Sequence, residues 1–172
     1  MFENDQINDS ELPKIEELSY TKIKKGYLWM SLLVWVLYAA PPIIILAIIA
    51  NKADNFPAEL QLYLNLGWSA LMLFVLVETI LSFTRKGYAL RKHDISYRKG
   101  WFFRSLLSIP FNRVQHCEVK QGPIESLFGM ASLKVFTAGG SGSDMKIPGL
   151  SPDKAKSLRS HITNIVADIT ED

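Results

Sequence analysis

The sequence predicts a hairpin of two transmembrane helices followed by a small, mainly β domain that ends in an α-helix. Two observations predict this fold. Two long apolar runs lie in the first half of the chain, and the first of them contains no Asp, Glu, Lys or Arg. The second half alternates apolar and polar residues in short segments and closes on a stretch with helical spacing. The predicted parts are an acidic tail (1–25), the hairpin (26–84, with spans over 26–50 and 60–83) and the β domain (85–172).

The N-terminal tail is acidic. Residues 1–20 contain six acidic side chains and one base, Lys14. The acidic residues are Glu3, Asp5, Asp9, Glu11, Glu16 and Glu17. A secretory leader begins with a short basic segment, so we expect no cleavable signal and a first apolar run that stays in the protein.

Each apolar run is long enough to cross a bilayer, which takes about 20 residues. A core helix of a soluble protein would show a polar stripe instead. Pro41 and Pro42 lie inside the first run and predict a bend there, with the second helix packed alongside. Trp35 and Trp68 lie far from the ends of the runs, and we expect them between the two helices.

The basic residues that flank the runs predict the orientation of the hairpin. Three lysines precede the first run, and Arg85 and Lys86 follow the second. The connecting loop, residues 51–59, holds only Lys52. Lys and Arg near span ends stay in the cytoplasm, so we expect both termini to be cytoplasmic.

Glu78 is the one ionisable residue inside either run. One interpretation is an intramembrane polar site that binds an ion, a proton or a partner helix. The other is a carboxylate near the inner end of the helix that reaches water or pairs with Arg85. Two helices alone form a poor transport path, which favours the second interpretation.

The β domain is predicted from segments of period-2 alternation bounded by turn residues. These segments are 86–91, 94–98, 105–109, 114–120, 131–137 and 144–147. The expected inward residues of the later strands are Cys117, Val119, Leu133, Val135, Met145 and Ile147. A single helical turn is expected to begin at 121–123 and run through Leu127, capped by Gly129. Residues 138–143 are interpreted as a hairpin turn. A phosphate-binding loop is disfavoured because no Lys-Ser or Lys-Thr pair and no helix follows them.

The last helix is predicted to start at Ser151 and Pro152, which suit the N-cap and first helical positions. Its apolar residues recur at helical spacing over about four turns, so the helix should pack on the sheet. These residues are Ala155, Leu158, Ile162, Ile165 and Ile169. The resulting domain is a small, strongly bent antiparallel sheet closed by this helix.

Residues 85–104 are strongly basic, with seven Lys or Arg and one acid. A basic block beside a membrane span indicates anionic lipid rather than nucleic acid. The candidate lipid-contact residues are Arg98, Lys99, Trp101, Phe102, Phe103 and Arg104. The alternative, a solvated turn with its aromatic side chains tucked under the sheet, remains open here.

Four motifs carry a resemblance to a known family. They are IPFNRVQH at 109–116, QGPIESLFG at 121–129, ASLKVFTAGG at 131–140 and IPGLS at 147–151. With them, residues 85–165 resemble the pleckstrin-homology (PH) domain of YdbS-like bacterial membrane proteins, in which a two-span hairpin precedes the domain. The resemblance implies a PH-like barrel with a C-terminal helix, a place in the bacterial inner membrane and a larger membrane partner with further PH-like domains. It implies no catalytic residues.

Three functions follow as hypotheses. The first is a non-enzymatic, membrane-anchored PH-domain protein that supports assembly of a membrane complex, with a larger PH-domain protein or with its own copies. The second is a sensor of anionic lipid headgroups. The third is an accessory subunit of an export or resistance system in which Glu78 matters. No cofactor or metal is expected, because Cys117 is the only cysteine and the three histidines lack metal-ligand spacing.

Overall fold

The computed structural model describes residues 18–52, 56–139 and 143–171. Helix α1 (Gly26–Lys52) and helix α2 (Ala58–Arg85) form the predicted hairpin. The expectations for the acidic tail over 1–17, the loop centre at 53–55 and the turn centre at 140–142 lie outside the described residues.

Both hairpin helices are long and apolar enough to cross a membrane. Only 6% of the most apolar 18-residue window of each helix is buried within the protein, unlike a soluble core helix. Trp35 Nε1 donates to the carbonyl of Met72, and Trp68 Nε1 donates to the carbonyl of Ala39, both at 3.0 Å. These bonds join the two helices and confirm the predicted place of both tryptophans. Helix α1 continues through Pro41 and Pro42.

The β domain contains two antiparallel sheets. The first has the order β1-β2-β3-β4, and the second has the order β5-β6-β7. The first sheet comprises β1 (Thr21–Lys22), β2 (Gly87–Leu90), β3 (Asp94–Lys99) and β4 (Ser105–Pro110). The second comprises β5 (Val114–Lys120), β6 (Ala131–Thr137) and β7 (Met145–Leu150). A 3₁₀ turn (Phe111–Arg113) joins the sheets, α3 (Pro123–Leu127) lies between β5 and β6, and α4 (Pro152–Glu171) ends the fold.

Strand β1 is absent from the sequence prediction. It is only two residues long, which is too short for an alternating pattern to be visible. Thr21 pairs with Tyr88 and Lys22 with Gly87, so the segment before α1 lies beside the segment after α2. The two ends of the hairpin therefore lie on one side of any membrane that the hairpin crosses.

The core lies between the two sheets and α4. Its fully buried side chains include Ile95, Phe111, Leu133, Ile147 and Ile162. The predicted inward residues of β6 and β7 are confirmed. Those of β5, Cys117 and Val119, are only partly buried and pack at the core's margin.

The apolar face of α4 is confirmed for Ala155, Leu158 and Ile162, which are buried, and for the partly buried Ile165. Ile169 is exposed, so its prediction as a packing residue is wrong. The helix has 20 residues, longer than the predicted four turns, and its last turn runs past the core.

The base of the hairpin is packed against the β domain. The Lys24 N–H donates to the Gly149 carbonyl at 2.9 Å. Gly149 has φ +69°, and a Cβ added there would lie 3.0 Å from the Cβ of Tyr27 in α1, so the close approach requires glycine. The Lys86 ammonium lies 4.8 Å from the centre of the Tyr27 ring.

Candidate membrane-surface site

The connection between β3 and β4, residues 100–104, is named the aromatic loop. Gly100 has φ +80°, and a Cβ added there would lie 1.9 Å from the Phe103 carbonyl oxygen, so only glycine allows this turn. The turn exposes Trp101, Phe102 and Phe103 by 43%, 61% and 75%. The alternative prediction, in which these aromatic side chains are tucked under the sheet, is therefore wrong.

Glu78 holds the aromatic loop against α2. Its Oε1 accepts a hydrogen bond from the Trp101 N–H at 3.3 Å, and its Oε2 accepts one from the Phe102 N–H at 3.2 Å. The Phe102 ring meets the Phe74 ring edge to face at 6.0 Å. Among the described residues, Arg85 is not within ion-pair distance of Glu78, so the partner suggested by the sequence is replaced by two backbone N–H groups.

The length of α2 indicates the level of this loop relative to a bilayer. A helix of 28 residues is about 42 Å long, whereas the hydrocarbon core is about 30 Å thick. If α2 crosses a bilayer, its length therefore leaves room for its last two turns, from Glu78 to Arg85, in the headgroup region. A backbone N–H at that boundary is costly without an acceptor. Glu78 supplies acceptors to two such groups.

A cavity of about 390 Å³ beside the loop is named the basic cleft. Its lining residues are Tyr20, Arg85, Arg98, Lys99, Arg104, Ser105 and Leu106. Within the part of the chain that the structure describes, none of its four cations forms an ion pair.

Arginine contacts give the basic cleft its shape. The Arg98 guanidinium lies 4.0 Å from the centre of the Tyr20 ring. Its buried Nε has no hydrogen-bond acceptor among the described residues. Arg104 Nε donates to the Trp101 carbonyl at 3.3 Å, which ties the cleft to the aromatic loop.

Positive charge exceeds negative charge around this site. Burial, assisted by the neighbouring Lys99 cation, lowers the pKa of Lys86 below its usual value, and Glu78 opposes this only in part. The lining of the basic cleft itself contains four cations and no carboxylate, which favours an anion there.

A second cavity, of about 460 Å³, lies between β5 and α4 and includes His116 and Cys117. Burial raises the pKa of the Cys117 thiol to about 11, so the thiol stays protonated and unreactive at neutral pH. The His116 ring stacks on the Phe136 ring at 4.3 Å. Among the described residues, no three His, Cys, Asp or Glu side chains come close enough to hold a metal ion.

The structure brings together all six residues predicted as lipid contacts, in one loop and its adjoining cleft. Sequence reasoning missed Tyr20 and the link from Glu78 to the loop. The linked positions are 23 and 24 residues apart, so no local spacing indicates the contact.

Comparison with known proteins decides the family. The family model described as "Bacterial PH domain" matches residues 18–166, which includes the hairpin and most of α4. The chain belongs to the Bacterial PH domain family. This membership agrees with the two sheets and C-terminal helix, and it confirms the resemblance drawn from the four sequence motifs.

A curated relative of this Bacterial PH domain chain is the UPF0699 transmembrane protein YdbS of Bacillus subtilis (strain 168). The two are 33% identical over 85 residues, which cover 49% of this chain and 51% of the relative. The chain thus spans about half the length of the curated relative that it matches. No solved structure matches.

Proposed function

We propose that this chain is a non-catalytic, membrane-anchored PH-domain protein whose aromatic loop and basic cleft contact an anionic lipid surface. One observation carries the proposal. Glu78, on an apolar helix long enough to span a bilayer, fixes a loop of exposed aromatic side chains beside four cations without ion-pair partners among the described residues. The proposed location is the bacterial inner membrane, with both termini in the cytoplasm.

The energies suit a tethered surface contact. Each Lys or Arg near an anionic leaflet contributes about 1 kcal/mol, and Trp prefers the interface. Such a site would bind a lipid surface only weakly if the domain were free in solution. The hairpin, however, keeps the domain at the bilayer, where the local lipid concentration is high. In this proposal the hairpin provides attachment, and the loop and cleft fix the orientation of the domain and its preference for anionic headgroups.

The test measures headgroup preference with the full chain in neutral detergent micelles. A short-chain phosphatidylglycerol is titrated, with the matching phosphatidylcholine as the neutral reference. The parent should prefer phosphatidylglycerol. A variant with Arg98→Gln, Lys99→Gln and Arg104→Gln should lose about tenfold or more in affinity, since it removes three headgroup contacts.

The matched control removes three positive charges elsewhere, at Lys146, Lys154 and Lys156. These residues are exposed on β7 and α4, and their change to Gln should leave the affinity as in the parent. If both triple variants lost affinity for phosphatidylglycerol equally, the preference would depend on the net charge of the protein and not on the basic cleft. A chain that binds both lipids equally when its cleft is intact would contradict the lipid-contact proposal.

A second candidate function is assembly of a membrane complex, and a groove in the hairpin favours it. The groove, of about 400 Å³, is apolar except for Asn65. Its lining is Pro42, Ile43, Ile45, Leu46, Ile49, Leu64, Asn65 and Trp68. Asn65 Oδ1 is buried without a hydrogen-bond donor among the described residues. A polar group in a bilayer gains from a donor on another helix, which supports a partner span from a larger PH-domain membrane protein or from a second copy.

Copurification from native membranes tests the assembly role. The parent should bring along a membrane protein or further copies of itself, and Asn65→Leu should reduce the recovery. Gln61→Leu, a similar change one turn away on the same helix, should not. Recovery of the parent as a single chain would contradict assembly. An export or resistance role is less favoured, because both carboxylate oxygens of Glu78 contact the aromatic loop.

A further inference from the structure

A second groove of the hairpin lies between α1 and α2 in the half next to the β domain, and it is named the inner groove. Its volume is about 430 Å³, and it shares no residue with the basic cleft or with the groove at Asn65. Its wall residues recur every three or four positions on each helix, so they form a stripe along one side of the hairpin. They include Tyr27, Met30, Val34 and Tyr38 on α1 and Met72 and Val75 on α2.

The inner groove has the shape and the lining that suit an acyl chain. Tyr27 and Tyr38, which lie at its two ends, are eleven positions apart on α1, about 16 Å along a helix axis. The wall is mainly apolar. Its Ser31 and Thr79 hydroxyls donate to the carbonyls of Tyr27 and Val75 in their own helices. These two donors are therefore already used within the hairpin, and the wall mainly offers apolar contact.

One end of the inner groove carries a cation. Lys86 lines the groove directly after α2, and its ammonium lies 4.8 Å from the centre of the Tyr27 ring. The side chain is half-buried, and it forms no ion pair among the described residues. Glu78 is the acid that favours its charged form, but both Glu78 oxygens accept from the aromatic loop. A half-buried ammonium without a counterion favours an anionic ligand at this end.

We propose that the inner groove binds one phospholipid with an anionic headgroup, with an acyl chain between α1 and α2 and the phosphate at Lys86. The proposal rests on the proposed membrane anchoring and not on the basic cleft. If the hairpin crosses a bilayer, Lys86 lies in the headgroup region and the groove runs from there into the hydrocarbon. A phospholipid supplies an apolar chain and an anion together, whereas an apolar partner helix supplies no anion.

Native mass spectrometry of the full chain in neutral micelles tests the headgroup end. The chain is incubated with equal amounts of dioleoyl phosphatidylglycerol and dioleoyl phosphatidylcholine, and the retained lipid is identified. The parent should prefer phosphatidylglycerol, because Lys86 and the nearby Lys99 repel a choline cation. Lys86→Gln should lower this preference about fivefold or more, the effect of one Lys near an anionic surface. Lys86→Arg, which keeps the charge, should retain it.

The matched control for charge is Lys25→Gln. Lys25 is exposed at the same end of the hairpin and does not line the inner groove, so its change should leave the preference as in the parent. Equal loss in Lys25→Gln and Lys86→Gln would overturn the assignment of the phosphate to Lys86. Glycerol 3-phosphate, which has a phosphate but no acyl chain, should not displace the retained lipid.

Two valines of α2 test the acyl-chain end. Val75 and Val77 are both exposed, but only Val75 lines the inner groove. Val75→Phe fills the groove and should lower the retention of dioleoyl phosphatidylglycerol about tenfold, the effect of about two buried methylenes. Val77→Phe should not. Equal retention in Val75→Phe and the parent would overturn the proposal. A lipid-free dimer that Val75→Phe dissociates would also overturn it, because a second copy would then cover the groove.

The inner groove and the basic cleft fail separately. The triple Gln variant of the cleft keeps Lys86 and should still retain dioleoyl phosphatidylglycerol. If it retains none, the inner-groove proposal is overturned and the cleft contact stands. If the parent shows no preference for short-chain phosphatidylglycerol, while Lys86→Gln still reduces retention of the dioleoyl lipid, the cleft contact fails and the inner groove stands.

Discussion

Glu78 joins a membrane helix to the β domain through two backbone N–H groups, a use of a carboxylate that differs from ion binding or proton transfer. The contact makes the aromatic loop part of the surface of α2. The loop also depends on Gly100, whose positive φ brings the Phe103 carbonyl close to the backbone. The geometry of the candidate membrane-surface site thus depends on residues that contribute none of its cations or aromatic rings.

The first prediction concerns Glu78. Glu78→Leu removes both acceptors, and the amides of Trp101 and Phe102 should exchange with solvent deuterium about tenfold faster, because hydrogen bonds to a charged acceptor are lost. Glu78→Gln keeps one carbonyl oxygen and should give a smaller increase. Glu59→Gln, at the other end of α2, should have no effect. Unchanged exchange in Glu78→Leu would show that the loop holds its shape without this contact.

The second prediction concerns Asp94, which accepts hydrogen bonds from Arg91 and Ser108. Burial alone would raise its pKa, but these bonds outweigh burial and hold the pKa below its usual 3.8. As pH falls, the unfolded chain takes up the proton first. The stabilisation is therefore complete above the unfolded value and is lost as pH falls through the folded pKa.

Asp94→Asn should accordingly reduce stability by about 1 kcal/mol at neutral pH, with a loss that shrinks below pH 4. Denaturant unfolding of the full chain at several pH values measures the difference. Asp168→Asn, an exposed acid on α4, is the control. A difference between Asp94→Asn and the parent that stays constant down to pH 2 would contradict the assigned role.

At the scale of the element, α4 determines how firmly the two sheets are closed. Leu158 is buried on its apolar face, and Lys156 is exposed two residues earlier. Leu158→Asp should lower stability by several kcal/mol, because it buries a charge without a partner. Lys156→Asp should change it by less than about 0.5 kcal/mol. Thermal unfolding of the full chain in micelles compares them, and equal shifts would mean that the helix packs on another face.

The elements that could be predicted from the sequence are mainly those whose apolar residues are continuous or recur at a regular spacing. The helices follow from uncharged length or 3.6-residue spacing, and six strands follow from alternation. The alternation also identified inward residues such as Leu133 and Ile147. Strand β1 is too short to show an alternating pattern. Ile169 continues the helical spacing of the apolar residues, but it lies beyond the end of the sheet on which the helix packs.

The six candidate lipid contacts were predictable from composition, because bases and aromatic residues are adjacent in the chain. Their arrangement was not. The contact between Glu78 and the aromatic loop depends on how a helix and a distant turn pack. Tyr20 reaches the basic cleft only because β1 pairs with β2. Local sequence has no signal for either contact.

At the scale of the whole molecule, the orientation in the membrane is a prediction. Lys and Arg concentrate at the domain end of the hairpin, so reporters fused within the 53–55 loop and after Asp172 should report opposite sides, with Asp172 in the cytoplasm. Glu118→Gln in the Asp172 fusion should not alter the result. A periplasmic signal from the Asp172 fusion would contradict the orientation, and equal signals from both fusions would contradict the hairpin.

The pairing of β1 with β2 has a consequence for biosynthesis. The ribosome makes Thr21 before the whole hairpin and makes its partner Tyr88 after it. The N-terminal strand therefore stays unpaired until both helices and β2 have been synthesised. If one helix entered the bilayer in the wrong direction, the two strands would be separated by the membrane, and the first sheet would lack an edge. In the proposed two-span topology, completion of that sheet requires that both helices cross the bilayer in the right directions, and a misinserted chain would expose the free edge of β2 to quality-control proteases.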